Sequence, residues 1–389
     1  MNLVQLERVT NARALSNRDS EEFEAWLRTK GWTWQGIDAR AYEGIDLETA
    51  LLLWTIGDPV RWAETLMIEP DTGRPYEVWD YQRPSIRAWN QDSVHQCGAE
   101  VGKTREICVI LLWGSYTAFG GTLVNPSSLV GAPQQTHLNE IISAIEVQVG
   151  ANAEGAASGT LLSADWLKPK RTPHTELRVR CPNFVNPKRP GVAITHFRPA
   201  GHDGEAFRSL HVNAGGLADE AAKMKNDKHY TEFYRALKPG CPAKFYSVPD
   251  GDNATKYYAI TQAAVPNLPV GAPGVRLTKW PKTLMPAPFW TAERDAEFAR
   301  RYGGRSSPGY LRNVLGEHGQ VEHPVWSWDT LMPNVVDLPE FRLLRLRADH
   351  PRDELVVELI RISIEIVEGK KIATQHHLDD SSRELKPFV

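Results

Sequence analysis

Cysteine is scarce in this 389-residue sequence: four residues, at 97, 108, 181 and 241, with no CxxC pair. A disulfide framework is therefore not expected, and the thiols read as the reduced ones of a cytoplasmic protein. No apolar run reaches the ~20 residues of a membrane span. The start, Met-Asn-Leu-Val-Gln-Leu-Glu, lacks the basic-then-apolar order of a secretion signal, so no membrane partner is expected. Excess positive charge is missing too. Lys and Arg total 45 against 48 Asp and Glu, a formal net charge of −3, which rules out a global polycation. A nucleic-acid partner stays open, because local clusters suffice and a protein that slides along DNA has to grip it weakly. Those clusters are Lys168-Pro-Lys170-Arg171, Arg300-Arg301 and 342–347. Internal repeats and low-complexity tracts are absent.

What is present is an ordinary globular mixture, 41% apolar and 24% charged, long enough for one large domain with appendages or for two domains. Residues 1 to about 65 read as helical, with an acidic first turn and apolar stripe at 20–27 and a second helix over 47–56, ended by Gly57-Asp58-Pro59. A short strand is expected at 93–96, although His95 and Gln96 interrupt its apolar run. A helix over 104–112, a strand at 128–130 and a helix at 134–149 follow, then a flexible Gly/Ala connection at 150–160. Period-two alternation marks strands at 175–180 and 192–197. Beyond Pro266 come Pro/Gly-rich connections, short helices at 291–301 and 308–315, and a longest apolar-patterned stretch at 354–367. Trp280, Trp290, Trp326 and Trp328 are expected to pack this part onto the core.

The chemistry concentrates at Cys97-Gly98-Ala99-Glu100-Val101-Gly102-Lys103-Thr104. Gly102-Lys103-Thr104 closes an imperfect phosphate-binding loop, with Cys97 where the pattern wants Gly and Gly98 beside it. The backbone amides of Gly98 to Thr104 would hold phosphate oxygens, Lys103 would bridge the terminal phosphates, and the Thr104 hydroxyl would hold Mg²⁺. Further on, Leu210 to Ala218 reads as a strand ending in Asp219-Glu220, although Gly215 and Gly216 weaken that reading. Two carboxylates at the carboxyl edge of a sheet suit a metal-assisting Asp219 and a water-orienting Glu220. Another strand, Ala243 to Ser247, runs into Val-Pro-Asp250-Gly, where a polar group can sense the γ-phosphate and pass its loss on.

In order, Tyr81-Gln82, the phosphate loop, Leu129-Val-Gly-Ala-Pro-Gln134, Asp219-Glu220-Ala221 and Tyr246-Ser-Val-Pro-Asp-Gly251 resemble the ATPase portion of the large terminase subunit of tailed bacteriophages. Residues 302–306 and 311–317 resemble the stretch closing that domain, so the likeness covers about 75–330. It implies an α/β P-loop NTPase of the ASCE/RecA-like type, with a mostly parallel central sheet, a helical N-terminal segment (1–65), a core (66–275) and a small C-terminal helical lid or linker (276–389). It implies ATP and Mg²⁺ as cofactors, double-stranded DNA, a homo-oligomeric ring, a portal protein and a small terminase subunit as partners, and the host cytoplasm as the location. Gln82 would contact adenine, and Ser247 and Asp250 would couple hydrolysis to movement. The family's arginine in the phosphate loop is replaced here by Ala99, so Arg105, or Arg300 and Arg301 acting as an arginine finger, are the substitutes. The family's nuclease domain is not found; Asp379-Asp380 lacks the spacing for a metal site, and His376-His377 reads as solvent-exposed. Two other readings stand beside the motor: a helicase-like or remodelling ATPase, which predicts a second α/β lobe after about 270, and a degenerate, non-hydrolysing module.

Overall fold

The computed structural model describes residues 17–30, 47–69, 72–149, 170–171, 176–183, 186 and 188–319, and strand segments at 346–347, 356–357, 360–367, 370–377 and 386–387. The first helices are α1 (Asn17–Thr29), α2 (Leu47–Ile56) and α3 (Pro59–Leu66). Phe23 and Leu27 of α1 pack on Ala50 and Trp54 of α2. At the start of α3 the Asp58 carboxylate accepts from the amides of Val60 and Arg61, and Pro59 takes a position where its missing N–H costs nothing.

A short helix, α4 (Arg83–Arg87), leads to β1 (Ser93–Cys97), and the phosphate-loop segment then joins β1 to α5 (Lys103–Thr117). The chain continues through β2 (Ser127–Ala132), α6 (Gln135–Val149), β3 (Lys170–Arg171), β4 (Glu176–Cys181), β5 (Gly191–Pro199) and β6 (Gly215–Ala218). It closes with α7 (Asp227–Ala236), β7 (Ala243–Ser247), α8 (Lys256–Ala263), β8 (Val265–Pro266), β9 (Arg276–Trp280), α9 (Ala292–Arg301) and α10 (Pro308–Asn313). The nine strands form one sheet in the order β3-β4-β5-β2-β6-β7-β1-β9-β8. Every pairing from β5 to β8 is parallel; only β3–β4 and β4–β5 are antiparallel. The strand before the phosphate loop is thus separated from the strand before Asp219-Glu220 by one intervening strand, β7. That order defines the ASCE/RecA-like class.

Alternating strand residues divide the core. One face packs α3, α5 and α6 on Cys97, Val130, Ala132 and Tyr246. The other packs α7 and α8 on Val94, Leu129, Ala218 and Phe245. Residues 107–112 are apolar all round because α5 is buried along almost its whole length. The glycines of β6 belong there for a packing reason: a Cβ on Gly216 would lie 2.6 Å from the Phe233 ring of α7.

The strand β9 pairs with β1 from Ser93↔Arg276 to Cys97↔Trp280, so the sheet continues beyond position 275. Residues 321–389 form a separate compact unit, and the segments described there are strands, not the helical lid expected. Ile360–Val367 pairs antiparallel with Lys370–His377, which pairs in turn with Lys386–Pro387. The physical reason lies in the pattern Ile360-Arg-Ile-Ser-Ile-Glu-Ile-Val, whose apolar period is two. Residues 150–160, Trp326, Trp328 and Asp379-Asp380 lie outside the described residues. Among the described residues, no helix is long and apolar enough to cross a membrane.

Candidate active site

The loop after β1 is built by close backbone approach. Cys97 ends the strand with its side chain in the core, where burial pushes the thiol up and keeps it protonated. Glu100 and Gly102 both take left-handed conformations, φ 60° and 79°, curling the backbone around Val101. Successive amides in such a turn, followed by the first turn of a helix, make an anion cradle. Two predicted members of that cradle are already used. Gly98 donates its amide to the Trp280 carbonyl at 2.8 Å and Ala99 to the Asn313 carbonyl at 2.7 Å. The amides from Glu100 to Thr104 are therefore the ones placed for a ligand, and Thr104 stands half-buried as the second residue of α5.

The strand β6 delivers its acidic pair to the same edge. The Lys103 ammonium lies 2.7 Å from Glu220 Oε1, and Lys223 reaches Glu220 Oε2 at 2.9 Å. Glu220 takes a left-handed conformation, φ 51°, which turns its side chain back across the loop. Burial alone would raise the Glu220 carboxyl, but the two ammonium groups outweigh it and hold it below the ordinary carboxylate value. Burial depresses the Lys103 ammonium less than Glu220 and Asp219 raise it, so it stays charged. Asp219 differs. Its amide donates to the Gly131 carbonyl at 2.8 Å, while its Oδ1 is buried with no hydrogen-bond partner. Burial, reinforced by the Glu220 charge and only partly offset by Lys103, pushes its carboxyl up to about 6.

That orphaned oxygen is what a hard cation would satisfy. Among the described residues no cluster of three or more His, Cys, Asp or Glu side chains is set to hold a metal. Mg²⁺ needs none, since it binds through one or two protein oxygens plus substrate phosphates and water. Thr104 and Asp219 fit that requirement.

Behind the loop lies a group of residues that sequence reasoning did not find. Glu106, on α5 one turn beyond Lys103, is fully buried and accepts from Ser85 Oγ and from the Tyr246 hydroxyl, each at 2.8 Å. His95 stacks on Tyr246 with ring centroids 4.2 Å apart and places Nε2 3.0 Å from Ser93 Oγ. The Lys244 ammonium, also buried, reaches Ser93 Oγ and the Ser85 carbonyl at 3.3 Å. Burial raises the Glu106 carboxyl, drives His95 well below its ordinary value and lowers Lys244 to about 8. The interruption of β1 by His95 was the available signal.

The remaining candidates are spread around this centre. Gln82 is buried and donates Nε2 to the Gly102 carbonyl at 2.9 Å, while the Tyr81 hydroxyl donates to the Val101 carbonyl at 2.7 Å. Arg105 is committed elsewhere: its guanidinium meets both Glu69 carboxylate oxygens at 2.8 and 2.6 Å and lies over the Tyr76 and Trp79 rings. Ser247 ends β7 with its carbonyl accepting from Tyr257, and the Asp250 carbonyl accepts from Arg312 of α10 at 2.9 Å. Arg300 and Arg301 are exposed at the end of α9, Arg301 paired with Glu297 at 3.1 Å. Lys282, also unforeseen, is buried along its stem and holds Glu100 of the loop at 3.0 Å.

No protein-family model matches the sequence, and no curated protein does. Solved structures do resemble it. The large terminase ATPase domain of Thermus phage P74-26 aligns with 14% identity and a TM-score of 0.46, over 62% of this chain and 94% of that one. The large terminase of a second, thermophilic bacteriophage aligns with 11% identity and a TM-score of 0.46, over 78% of this chain and 66% of that one. The HK97 bacteriophage large terminase gives 14% identity and a TM-score of 0.44, over 86% and 67%. Other structures of the second phage's terminase contain ADP or ATP-γ-S.

Proposed function

We propose that this protein hydrolyses ATP and uses the energy to move double-stranded viral DNA into a procapsid, as the ATPase of a large terminase subunit working in the host cytoplasm. The observation that carries the reading is the meeting of Lys103, Asp219 and Glu220 at the carboxyl end of a parallel sheet, beside a left-handed amide loop. The loop amides would cradle the phosphates, and Lys103 would leave Glu220 for the β- and γ-phosphate oxygens. Bound Mg²⁺, held by Thr104 and Asp219, would neutralise phosphate charge. Glu220, freed of Lys103, would orient and polarise the water attacking in line with the leaving group. Gln82 and Tyr81 hold the loop carbonyls, and Gln82 would contact adenine.

The arginine needed in the transition state would come from Arg300 or Arg301 of a neighbouring copy. Arg105 is engaged with Glu69, whereas the α9 pair is exposed. A ring of subunits follows from that assignment, with a portal protein and a small terminase subunit as its further partners. Ser247 and Asp250 would transmit phosphate release, and the contact of Asp250 with Arg312 gives that signal a route to α10. A helicase-like enzyme would need a second parallel lobe; the described C-terminal strands pair antiparallel. A non-hydrolysing module is disfavoured by the closeness of Glu220 to Lys103.

The test is steady-state ATP turnover across protein concentration, with and without linear duplex DNA, for wild type, Lys103→Ala and Glu220→Gln. Turnover that rises with concentration and disappears in both variants is expected. Nucleotide binding without turnover under any condition would overturn the reading.

A further inference from the structure

The chain is acidic overall, yet residues 168–199 contain eight Lys or Arg and one acidic residue, Glu176. Lys170 and Arg171 form β3 at the edge of the sheet. Lys168 lies outside the described residues; the described β4–β5 hairpin shows where Arg178, Arg180, Lys188, Arg189 and Arg198 go. On β4, Leu177, Val179 and Cys181 turn inward to the core, while Arg178 and Arg180 alternate with them on the exposed face. Their cross-strand partners are Ile194 and Val192, the latter itself exposed. Further along the same face Arg198 and His196 gather with Arg178 around Glu176, at 3.5, 3.1 and 2.9 Å. One carboxylate thus serves two guanidinium groups, while burial holds His196 below its ordinary value. Lys188 and Arg189 stand exposed in the turn between the strands.

We propose that this outward face of β4 and β5 is a binding surface for the phosphate backbone of duplex DNA, an assignment that rests on the DNA-translocating reading above. Phosphate contacts need charge and spacing but no base recognition. Arg178 and Arg180 are two residues apart on one face, about 6.8 Å along the strand. Successive phosphates of one DNA strand rise about 3.4 Å along the axis while also turning about it, so their separation exceeds that rise and the two arginines are spaced for neighbouring phosphates. The alternation that buries Leu177 and Val179 is therefore what lines the cations up. Ile194 and Val192 set no carboxylate opposite Arg178 and Arg180, so the acidic group of this face is Glu176, which a phosphate has to displace from Arg178. Four strand positions separate β5 from β1, about 19 Å, so the surface lies apart from the nucleotide loop.

The experiment measures binding of a mixed-sequence linear DNA duplex by fluorescence anisotropy across salt concentration, for wild type and for Arg178→Gln/Arg180→Gln. Removing two phosphate contacts should reduce the slope of log affinity against log salt by about 1.8 and weaken binding about 10- to 100-fold near 0.1 M salt. ADP affinity and DNA-independent turnover should be unchanged. Wild-type affinity and slope in the double variant would overturn this surface while leaving the motor reading intact. A change in oligomeric state by sedimentation, with DNA affinity retained, would assign the face to a neighbouring subunit instead. Preference for an RNA duplex, or failure of the wild type to bind DNA while it binds ADP, would overturn both the surface and the motor reading.

Discussion

Lys103 and Glu220, 117 positions apart in sequence, meet at 2.7 Å with side chains only 11% and 12% exposed. The ammonium and the carboxylate therefore neutralise each other. Under the proposed function a triphosphate would break that pair and release both groups at once. Glu220→Gln should abolish turnover and yet bind ADP more tightly. A charge-assisted hydrogen bond is worth about 1.5 kcal/mol, or about tenfold in Kd. Isothermal titration calorimetry checks this, and unchanged or weaker ADP affinity would show that the pair does not compete with the ligand.

Arg105 is expected to act through stability. Its guanidinium makes two bonds to Glu69, one to the Glu77 carbonyl at 2.7 Å, and two ring contacts. Arg105→Ala should cost about 2–3 kcal/mol in urea unfolding, and a double-mutant cycle with Glu69→Gln should show strong coupling. An unchanged unfolding curve with turnover lost would instead make Arg105 the catalytic arginine.

The fold class was largely legible because its signals are local. The phosphate loop precedes an apolar helix, and 192–197 alternates with period two, so both elements could be read from a short window. The strand β9 could not. Arg276-Leu-Thr-Lys-Trp offers two inward residues between Pro/Gly-rich connections, and its identity comes from pairing with β1, 183 positions away at Ser93↔Arg276. Glu106 was equally hidden. A carboxylate can be buried there only because Ser85 and Tyr246, from 21 and 140 positions away, both donate to it. Local pattern reaches the candidate binding residues; long-range contact decides those that hold them in place.

The C-terminal segment grips the phosphate loop through glycine. A Cβ on Gly98 would lie 2.8 Å from the Val314 carbonyl oxygen, and Gly316, at φ 68°, would bring one to 2.9 Å from the Cys97 carbonyl carbon. These are backbone contacts, which cannot swing aside as a side chain does. Gly316→Ala should lift residues 313–316 off the loop, weaken ADP binding and raise amide exchange at Ala99, which donates to the Asn313 carbonyl, more than at Gly98, which donates to Trp280. Hydrogen exchange read at those two amides checks it, and unchanged protection would dissociate the segment from the loop.

Lys244 makes stability depend on pH in a defined window. Burial lowers its ammonium from the ordinary lysine value of 10.5 to about 8, with Glu106 opposing the shift and Arg276 adding to it. Between those values the unfolded chain holds the proton more tightly than the folded one, so the burial penalty is full below pH 8 and fades as pH rises towards 10.5. A shift of that size corresponds to about 3 kcal/mol. Lys244→Met removes the term entirely. Its stability relative to wild type should therefore be greatest below pH 8 and fall by roughly that amount by pH 10.5, after any constant loss from the two 3.3 Å contacts to Ser85 and Ser93. Urea unfolding of both proteins at pH 7.5, 9 and 10 measures the difference directly. A difference independent of pH would mean that the lysine stays charged within the fold as it does in the unfolded chain, and would overturn the burial penalty.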